Sequence, residues 1–99
     1  CFGEKNSKDF LQTLSETIKQ RFEDRSVKSY TSNLFDRGIN KVAQKLGEEA
    51  IELVIEAKDD NGELFINEAA DLLFHYMMLL QAKGFSLEDV KKVLMERHK

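Results

Sequence analysis

Two pairs of acidic residues, each with helical spacing, are the part of the sequence best suited to chemistry. Glu49 and Glu52 are three residues apart, and so are Glu68 and Asp71. Residues three apart lie on one face of an α-helix, so each pair presents two carboxylates to the same side. An all-oxygen ligand set without thiolates favours a hard divalent cation, Mg²⁺ before Mn²⁺. Such a cation commonly binds phosphates and orients an activated water, so the sequence predicts metal-assisted hydrolysis at phosphorus.

The first acidic pair belongs to a larger charged helix face. At about 100° per residue, one narrow arc holds six ionisable side chains. They are Lys41, Lys45, Glu48, Glu49, Glu52 and Glu56. A charged stripe of this kind is usually a solvated helix surface. In a helix stabilised by its own charges, however, glutamates precede lysines and lie near the N-terminus. Here the lysines come first, which favours a functional face.

The second acidic pair lies in a segment that is otherwise apolar. Between residues 65 and 82, the ionisable side chains besides Tyr76 are Glu68, Asp71 and His75. A carboxylate buried in such a helix must be protonated, paired or bound to a cation. Two carboxylates together favour the cation. His75 follows Asp71 by one turn and could orient its carboxylate, but a lone histidine on a packed helix is more often a core residue.

These residues need helices to position them, and the composition favours helices throughout. The chain has 99 residues, no proline and five glycines. This length suits one domain, predicted over residues 1–99, and the lack of proline favours helices joined by short turns. We therefore predict an all-α fold.

Apolar residues at helical spacing predict about four helices per chain. The first begins at a Ser7 cap and ends near Asp24; the other three cover residues 39–57, residues 64–82 and the segment after Ser86. The serine at the last start, followed by Asp89, resembles a capping box, and Gly84 suits a left-handed helix end.

Other segments complete this picture. Residues 25–32 have no apolar period and are predicted to form a loop, followed by a short helical piece that ends near Gly38. The helix over residues 64–82 is apolar on nearly every side and is predicted to be buried. The remaining helices of one chain are too few to cover it, so we expect a homodimer that completes an antiparallel helical bundle. Within it, a short turn at residues 59–62 would let the two acidic pairs meet.

Composition also excludes several classes of partner. A formal charge of −3, with acidic and basic residues interspersed, provides no broad positive field for nucleic acid. The longest apolar stretch, residues 72–80, is interrupted by His75 and is far shorter than the roughly 20 residues that span a membrane. No signal peptide is visible, and the single cysteine fits a reducing compartment, so a cytoplasmic location is expected.

The segments around the acidic pairs carry a specific family resemblance. KLGEEAIE at 45–52, followed by EAAD at 68–71, resembles the EExxE and ExxD signature of the all-α nucleotide pyrophosphohydrolase superfamily. Four segments are more narrowly similar to the phosphoribosyl-ATP pyrophosphohydrolase family: SYT at 29–31, GINK at 38–41, QKLGEEAIE at 44–52 and DLLFH at 71–75. The similarity extends from about Phe10 to His98.

The resemblance implies hydrolysis of the α–β phosphate bond of phosphoribosyl-ATP, which yields phosphoribosyl-AMP and pyrophosphate in the second step of histidine biosynthesis. Carried over residue by residue, it implies four Mg²⁺ ligands: Glu49, Glu52, Glu68 and Asp71. Glu48 would hold a second metal or polarise the attacking water, so that it forms the catalytic set together with Glu49 and Glu52.

The same resemblance implies a substrate-binding set. Lys41 and Lys45 suit phosphate oxygens, and Arg37 would add a bidentate contact. Tyr30 would stack on the base or the ribose, although an aromatic residue that anchors a loop explains it equally well.

The family is also often fused behind a phosphoribosyl-AMP cyclohydrolase whose end resembles Cys1-Phe2. We therefore expect the chain to be the C-terminal half of a bifunctional enzyme.

Three alternatives remain beside this function. A non-catalytic helical dimerisation module would leave the acidic faces solvated. A pyrophosphohydrolase acting on other nucleoside triphosphates would keep the fold and change the substrate. A di-iron bundle needs Glu-x-x-His pairs, and neither Glu49 nor Glu68 has a histidine three residues later.

Overall fold

The computed structural model describes the backbone of residues 2–99 and the side chains from residue 10 onward. Within these limits the chain forms five α-helices and no strand, which confirms the predicted all-α class. The helices are α1 (Phe2–Glu23), α2 (Tyr30–Asp36), α3 (Ile39–Ala57), α4 (Gly62–Ala82) and α5 (Leu87–Arg97). Cys1, half of the pair that suggested an upstream domain, lies outside the described residues.

The predicted helix boundaries hold best where apolar spacing defines them. The end of α1 and both ends of α3 agree with the prediction. The start of α1 does not, because the helix begins at Phe2 and Ser7 is therefore not its N-cap. Helix α4 begins two residues early because the Asn61 side chain caps it, accepting a hydrogen bond from the Leu64 backbone N–H at 3.1 Å.

Helix α2 replaces the last part of the predicted loop. Ser29 is its N-cap, and the Ser29 hydroxyl accepts a hydrogen bond from the backbone N–H of Ser32 at 3.1 Å. In return, the Ser29 backbone N–H donates to the Ser32 hydroxyl at 3.0 Å. These reciprocal bonds form a capping box that uses serine at its third helical position. Tyr30 is therefore the first residue of a helix, not part of a loop.

Four helices contribute to a small core. It contains Ile18 from α1, Leu34 and Phe35 from α2, Val42 from α3, and Met77 and Met78 from α4. Leu87 at the start of α5 packs against its edge.

The Arg25 side chain connects the end of α1 to α2. The Arg25 guanidinium forms an ion pair with Asp36 at 2.7 Å and donates to the Phe22 backbone oxygen at 2.7 Å. It also lies over the rings of Phe22 and Phe35. These contacts fix where α2, and with it Tyr30, begins.

Helices α3 and α4 form the most extensive helix–helix contact in the described chain. Only residues 58–61 connect them, so the two helices pack as a hairpin. This hairpin places the two acidic pairs side by side.

Large apolar side chains on the α3–α4 hairpin remain exposed in the single chain. Ile51 and Ile66 are each 63% exposed, and the same holds to a lesser degree for Val54, Ile55, Leu64 and Leu73. The other helices of one chain therefore cover only part of α4, as the sequence predicts, and its burial in a homodimer stays a prediction. Val93 and Leu94 of α5 are also about half exposed. In the described part of the chain, no helix is both long and apolar enough to cross a membrane.

Candidate functional site

The α3–α4 hairpin brings three carboxylates together. Glu49 lies on α3, while Glu68 and Asp71 lie one turn apart on α4. One carboxylate oxygen from each of the three lies within 4.8 Å of the other two. We refer to Glu49, Glu68 and Asp71 as the carboxylate cluster. Glu49 is only 7% exposed, whereas Asp71 is open to solvent, so the cluster is accessible from one side.

Glu52, the fourth predicted ligand, is not among these three residues. Its side chain is exposed on α3, one turn after Glu49. Its charge nevertheless reaches the cluster, because Glu52 is one of the residues that raise the pKa of Glu68. Glu52 therefore lies at the margin of the cluster.

The surroundings of Glu68 disfavour its charged form. Desolvation raises the pKa of its carboxyl above the ordinary value, and the negative charges of Glu52, Glu49 and Asp71 raise it further. One of its oxygens, Oε2, is buried without a hydrogen-bond partner. A carboxylate that is crowded by like charges and lacks a donor is an oxygen ligand suited to a cation.

Lys45 provides the positive charge closest to the cluster. Its Nζ lies 3.5 Å from a Glu48 oxygen and 3.6 Å from a Glu49 oxygen. Partial desolvation acts to lower the pKa of Lys45, but Tyr30, Glu49 and Glu48 together raise it above the ordinary value. The structure therefore places Lys45, which was predicted to bind phosphate oxygens, beside the carboxylates.

The remaining predicted residues lie farther out. Glu48 is exposed and accepts a hydrogen bond from Gln44 at 2.9 Å. This bond lowers the pKa of Glu48, desolvation opposes it, and the charges of Lys45 and Lys41 lower it further. Arg37 is exposed at the C-terminal end of α2, and no contact within residues 10–99 joins it to the carboxylate cluster.

A buried histidine and a tyrosine extend the site on its other side. The Tyr30 hydroxyl lies 2.7 Å from His75 Nε2, and His75 Nδ1 lies 2.7 Å from the backbone oxygen of Asp71. His75 is only 6% exposed, and its ring packs edge-on against those of Phe74 and Tyr30. Helical spacing does not reveal this pairing, because the two residues are 45 positions apart.

An all-helical chain whose central hairpin carries a carboxylate cluster beside lysines has the features of a protein that handles phosphate groups with a divalent cation. The model of the family described as phosphoribosyl-ATP pyrophosphohydrolase matches residues 11–98. The chain belongs to this family.

Curated relatives agree with this membership. A phosphoribosyl-ATP pyrophosphatase of Pyrobaculum calidifontis is 45% identical over 89 residues, which cover 90% of this chain and 95% of the relative. The protein of the same name from Leptospira biflexa is 42% identical over 90 residues, covering 91% and 98%. The histidine biosynthesis bifunctional protein HisIE of Bacteroides thetaiotaomicron is 49% identical over 100 residues, covering 99% of this chain and 49% of the relative.

The chain therefore spans about half the length of the bifunctional relatives and nearly the full length of the single-function ones. Its family and the names of these relatives confirm the predicted enzyme class, a hydrolase of histidine biosynthesis.

Proposed function

We propose that this chain hydrolyses phosphoribosyl-ATP to phosphoribosyl-AMP and pyrophosphate, with Mg²⁺ as the cofactor and Mn²⁺ as a substitute. The observation that carries the proposal is the carboxylate cluster on the α3–α4 hairpin, whose ligand atoms lie within 4.8 Å of one another. It occurs in a chain whose family is described by this substrate.

The donor atoms fit a hard divalent cation. All three residues of the cluster offer carboxylate oxygens, and Glu68 Oε2 is buried without a partner. Glu49, Glu68 and Asp71 would hold the ion, and Glu52 at the margin is the fourth candidate. When bound, such an ion neutralises phosphate charge and acidifies a coordinated water.

The protein's own side chains supply the other roles. Lys45, beside the cluster, and Lys41, one turn earlier on α3, would bind phosphate oxygens. Glu48 accepts a hydrogen bond from Gln44, and this bond is the largest of the effects that lower the pKa of its carboxyl. A carboxylate of lowered pKa is a weak base, so we assign Glu48 to orienting the attacking water as a hydrogen-bond acceptor.

Pyrophosphate release tests this function. Purified protein is assayed with phosphoribosyl-ATP and with a panel of nucleoside triphosphates, each with and without Mg²⁺. We expect Mg²⁺-dependent release with a clear preference for phosphoribosyl-ATP. A preference for another nucleoside triphosphate would mean that the proposed substrate is wrong and the proposed reaction type is right. Absence of release with every substrate, together with no Mg²⁺-induced rise in melting temperature, would favour the non-catalytic module.

Two variants test the site itself. Asp71→Asn and Glu52→Gln each keep the side-chain size and remove one charge. Because even residues that only orient metal ligands are worth 10–100-fold in general, we expect each variant to lose at least about 100-fold in turnover. Glu16→Gln, on the exposed part of α1, is the matched control. Circular dichroism should show unchanged helicity, and full activity in both site variants would refute the assignment.

We also propose that the chain acts as a homodimer. The exposed apolar side chains of α3 and α4 support this, because a monomer would leave them in contact with water. A second chain packed on this face would complete the helical bundle and bring the site close to the subunit interface.

The bifunctional relatives support a further expectation about the whole protein. A chain of this kind can be joined to a second enzymatic domain, which the resemblance identifies as phosphoribosyl-AMP cyclohydrolase. The biosynthetic role of these relatives and the single cysteine also support the cytoplasm as its compartment.

A further inference from the structure

We propose that His75 is a positioning residue that turns the Tyr30 hydroxyl into a hydrogen-bond acceptor for the nucleoside part of the substrate. Tyr30 then makes no contact with the phosphates. The inference rests on the proposed function, which it deepens by dividing the site into a phosphate end and a nucleoside end.

The direction of the two hydrogen bonds follows from what each atom can donate. His75 Nδ1 lies 2.7 Å from the backbone oxygen of Asp71, and a carbonyl oxygen can only accept. Nδ1 therefore carries the hydrogen. The neutral imidazole has one ring hydrogen, so with that hydrogen on Nδ1 its Nε2 presents a lone pair. The Tyr30 hydroxyl, 2.7 Å away, must then donate to Nε2.

This donation decides what Tyr30 can recognise. A phenol has one hydrogen, and here His75 takes it. The Tyr30 oxygen retains its capacity to accept, and the side chain is 54% exposed, so a ligand can reach it. Ionised phosphate oxygens are also acceptors, so no hydrogen bond can form between them and the Tyr30 oxygen. Sugar hydroxyls and base amino groups are donors, and both belong to the nucleoside.

The same imidazole links this acceptor to the carboxylate cluster. His75 follows Asp71 by one helical turn and bonds its backbone oxygen, so the imidazole connects the Tyr30 phenol to a residue of the cluster. Tyr30 also lies beside the Lys45 ammonium, which contacts Glu49. The lysines and carboxylates then form the phosphate end of the site, and Tyr30 marks the nucleoside end.

Inhibition by the two products tests the phosphate end and the nucleoside end of the site separately. In Tyr30→Phe we expect the KM for phosphoribosyl-ATP and the inhibition constant of phosphoribosyl-AMP to rise about fivefold to tenfold, as loss of one hydrogen bond predicts. The inhibition constant of pyrophosphate should change less than about twofold, and kcat should change little, because the contact serves binding. Tyr76→Phe is the matched control, since Tyr76 is the chain's other tyrosine and follows His75 directly on α4.

Two substitutions of His75 test its positioning role. His75→Asn can still donate to the Asp71 oxygen but is too short to reach Tyr30, and we expect it to reproduce the Tyr30→Phe pattern. His75→Gln extends an amide towards the position of Nε2 and should restore most of the affinity for phosphoribosyl-AMP. The double variant Tyr30→Phe with His75→Asn should bind no worse than either single variant, because both remove the same contact.

Nitrogen-15 NMR of the free protein gives a readout that needs no substrate. We expect the His75 ring to carry its hydrogen on Nδ1 and a bare Nε2. A hydrogen on Nε2, additive losses in the double variant, or a pyrophosphate constant that rises as much as that of phosphoribosyl-AMP would each overturn the inference. Normal wild-type turnover with unchanged phosphoribosyl-AMP inhibition in Tyr30→Phe refutes this inference alone. Absence of wild-type turnover refutes the proposed function and the inference with it.

Discussion

The surroundings of Glu68 in the carboxylate cluster disfavour the charged form of its side chain. Its pKa is raised by desolvation and by three neighbouring carboxylates, and its Oε2 atom has no donor. Between the ordinary value of 4.5 and its raised pKa, the folded chain binds more protons at this residue than the unfolded chain does. The free energy of unfolding of the metal-free protein therefore falls as pH rises through this window.

The first prediction follows from this decrease in the free energy of unfolding with rising pH. Glu68→Gln removes the repelled charge, so in EDTA at neutral pH it should melt at a higher temperature than the wild type. It should also lose the decline of stability with rising pH that Glu68 causes, and most of the rise in melting temperature that Mg²⁺ produces in the wild type. Glu16→Gln should change none of these. A lower melting temperature than the wild type in EDTA would show that Glu68 is stabilised by a contact other than a cation.

For single residues, the sequence predicts which side chains belong to the site better than it predicts which side chains contact each other. Helical spacing selects Glu49, Glu52, Glu68 and Asp71, because residues three apart share a helix face. The structure brings all of these except Glu52 into the carboxylate cluster. Helical spacing cannot pair His75 with Tyr30, since periodicity describes one helix at a time and the two residues lie on different helices.

Among the elements, α2 is the one that apolar spacing detects least. Its first three residues are Tyr30, Thr31 and Ser32, which show no apolar period. What starts the helix is the reciprocal bonding of Ser29 and Ser32, and the usual signature of such a box has Glu or Gln at the third helical position. Serine in that place carries too little signal to be recognised before the structure is known. The long apolar periods of α3 and α4 explain why their extents were predicted well.

The second prediction concerns this cap. Ser29→Ala removes the acceptor for the Ser32 backbone N–H and should lower the free energy of unfolding by about 1 kcal/mol, measured by urea denaturation. Ser26→Ala, an exposed serine three residues earlier and outside the helices, should cost less than about 0.5 kcal/mol. Equal losses in the two variants would mean that the capping box does not stabilise α2.

The third prediction contrasts two glycines. Gly84 ends α4 with a φ of 85°, so Gly84→Ala should destabilise the fold by about 1 kcal/mol through backbone strain alone, because no atom lies within 4 Å of the added carbon. Gly47 lies inside α3 with similar open space, so Gly47→Ala should stabilise by about 0.5–1 kcal/mol. Thermal melting measures both effects, and a shift of the same sign in the two variants would contradict the account.

The whole molecule has more apolar surface than one chain can cover. From residue 10 onward the core contains six buried apolar residues, whereas Ile51 and Ile66 on the hairpin are each 63% exposed. The sequence reveals how much of α4 is apolar but not what covers it. The exposure of α4 in a single chain agrees with the expectation that one chain cannot cover it, and the homodimer remains a prediction.

The fourth prediction tests that dimer. Ile51→Glu or Ile66→Glu should convert the protein to monomers, measured by sedimentation, because burying one isoleucine contributes about 1.5–3 kcal/mol and a two-fold interface counts it twice. Val27→Glu places the same charge on an exposed apolar position outside the hairpin and should leave the dimer intact. A wild-type protein that sediments as a monomer at micromolar concentration would rule the dimer out.

The short connection between α3 and α4 has a consequence for modular evolution. Residues 49–71 contain the entire carboxylate cluster, so one local helical contact decides the relative placement of its members. We expect insertions or gene fusions outside residues 39–82 to leave that contact unchanged. Such a hairpin is portable, because a neighbouring domain can be gained or lost without rebuilding it. Matches to relatives of about the same length and to relatives of about twice the length agree with this portability.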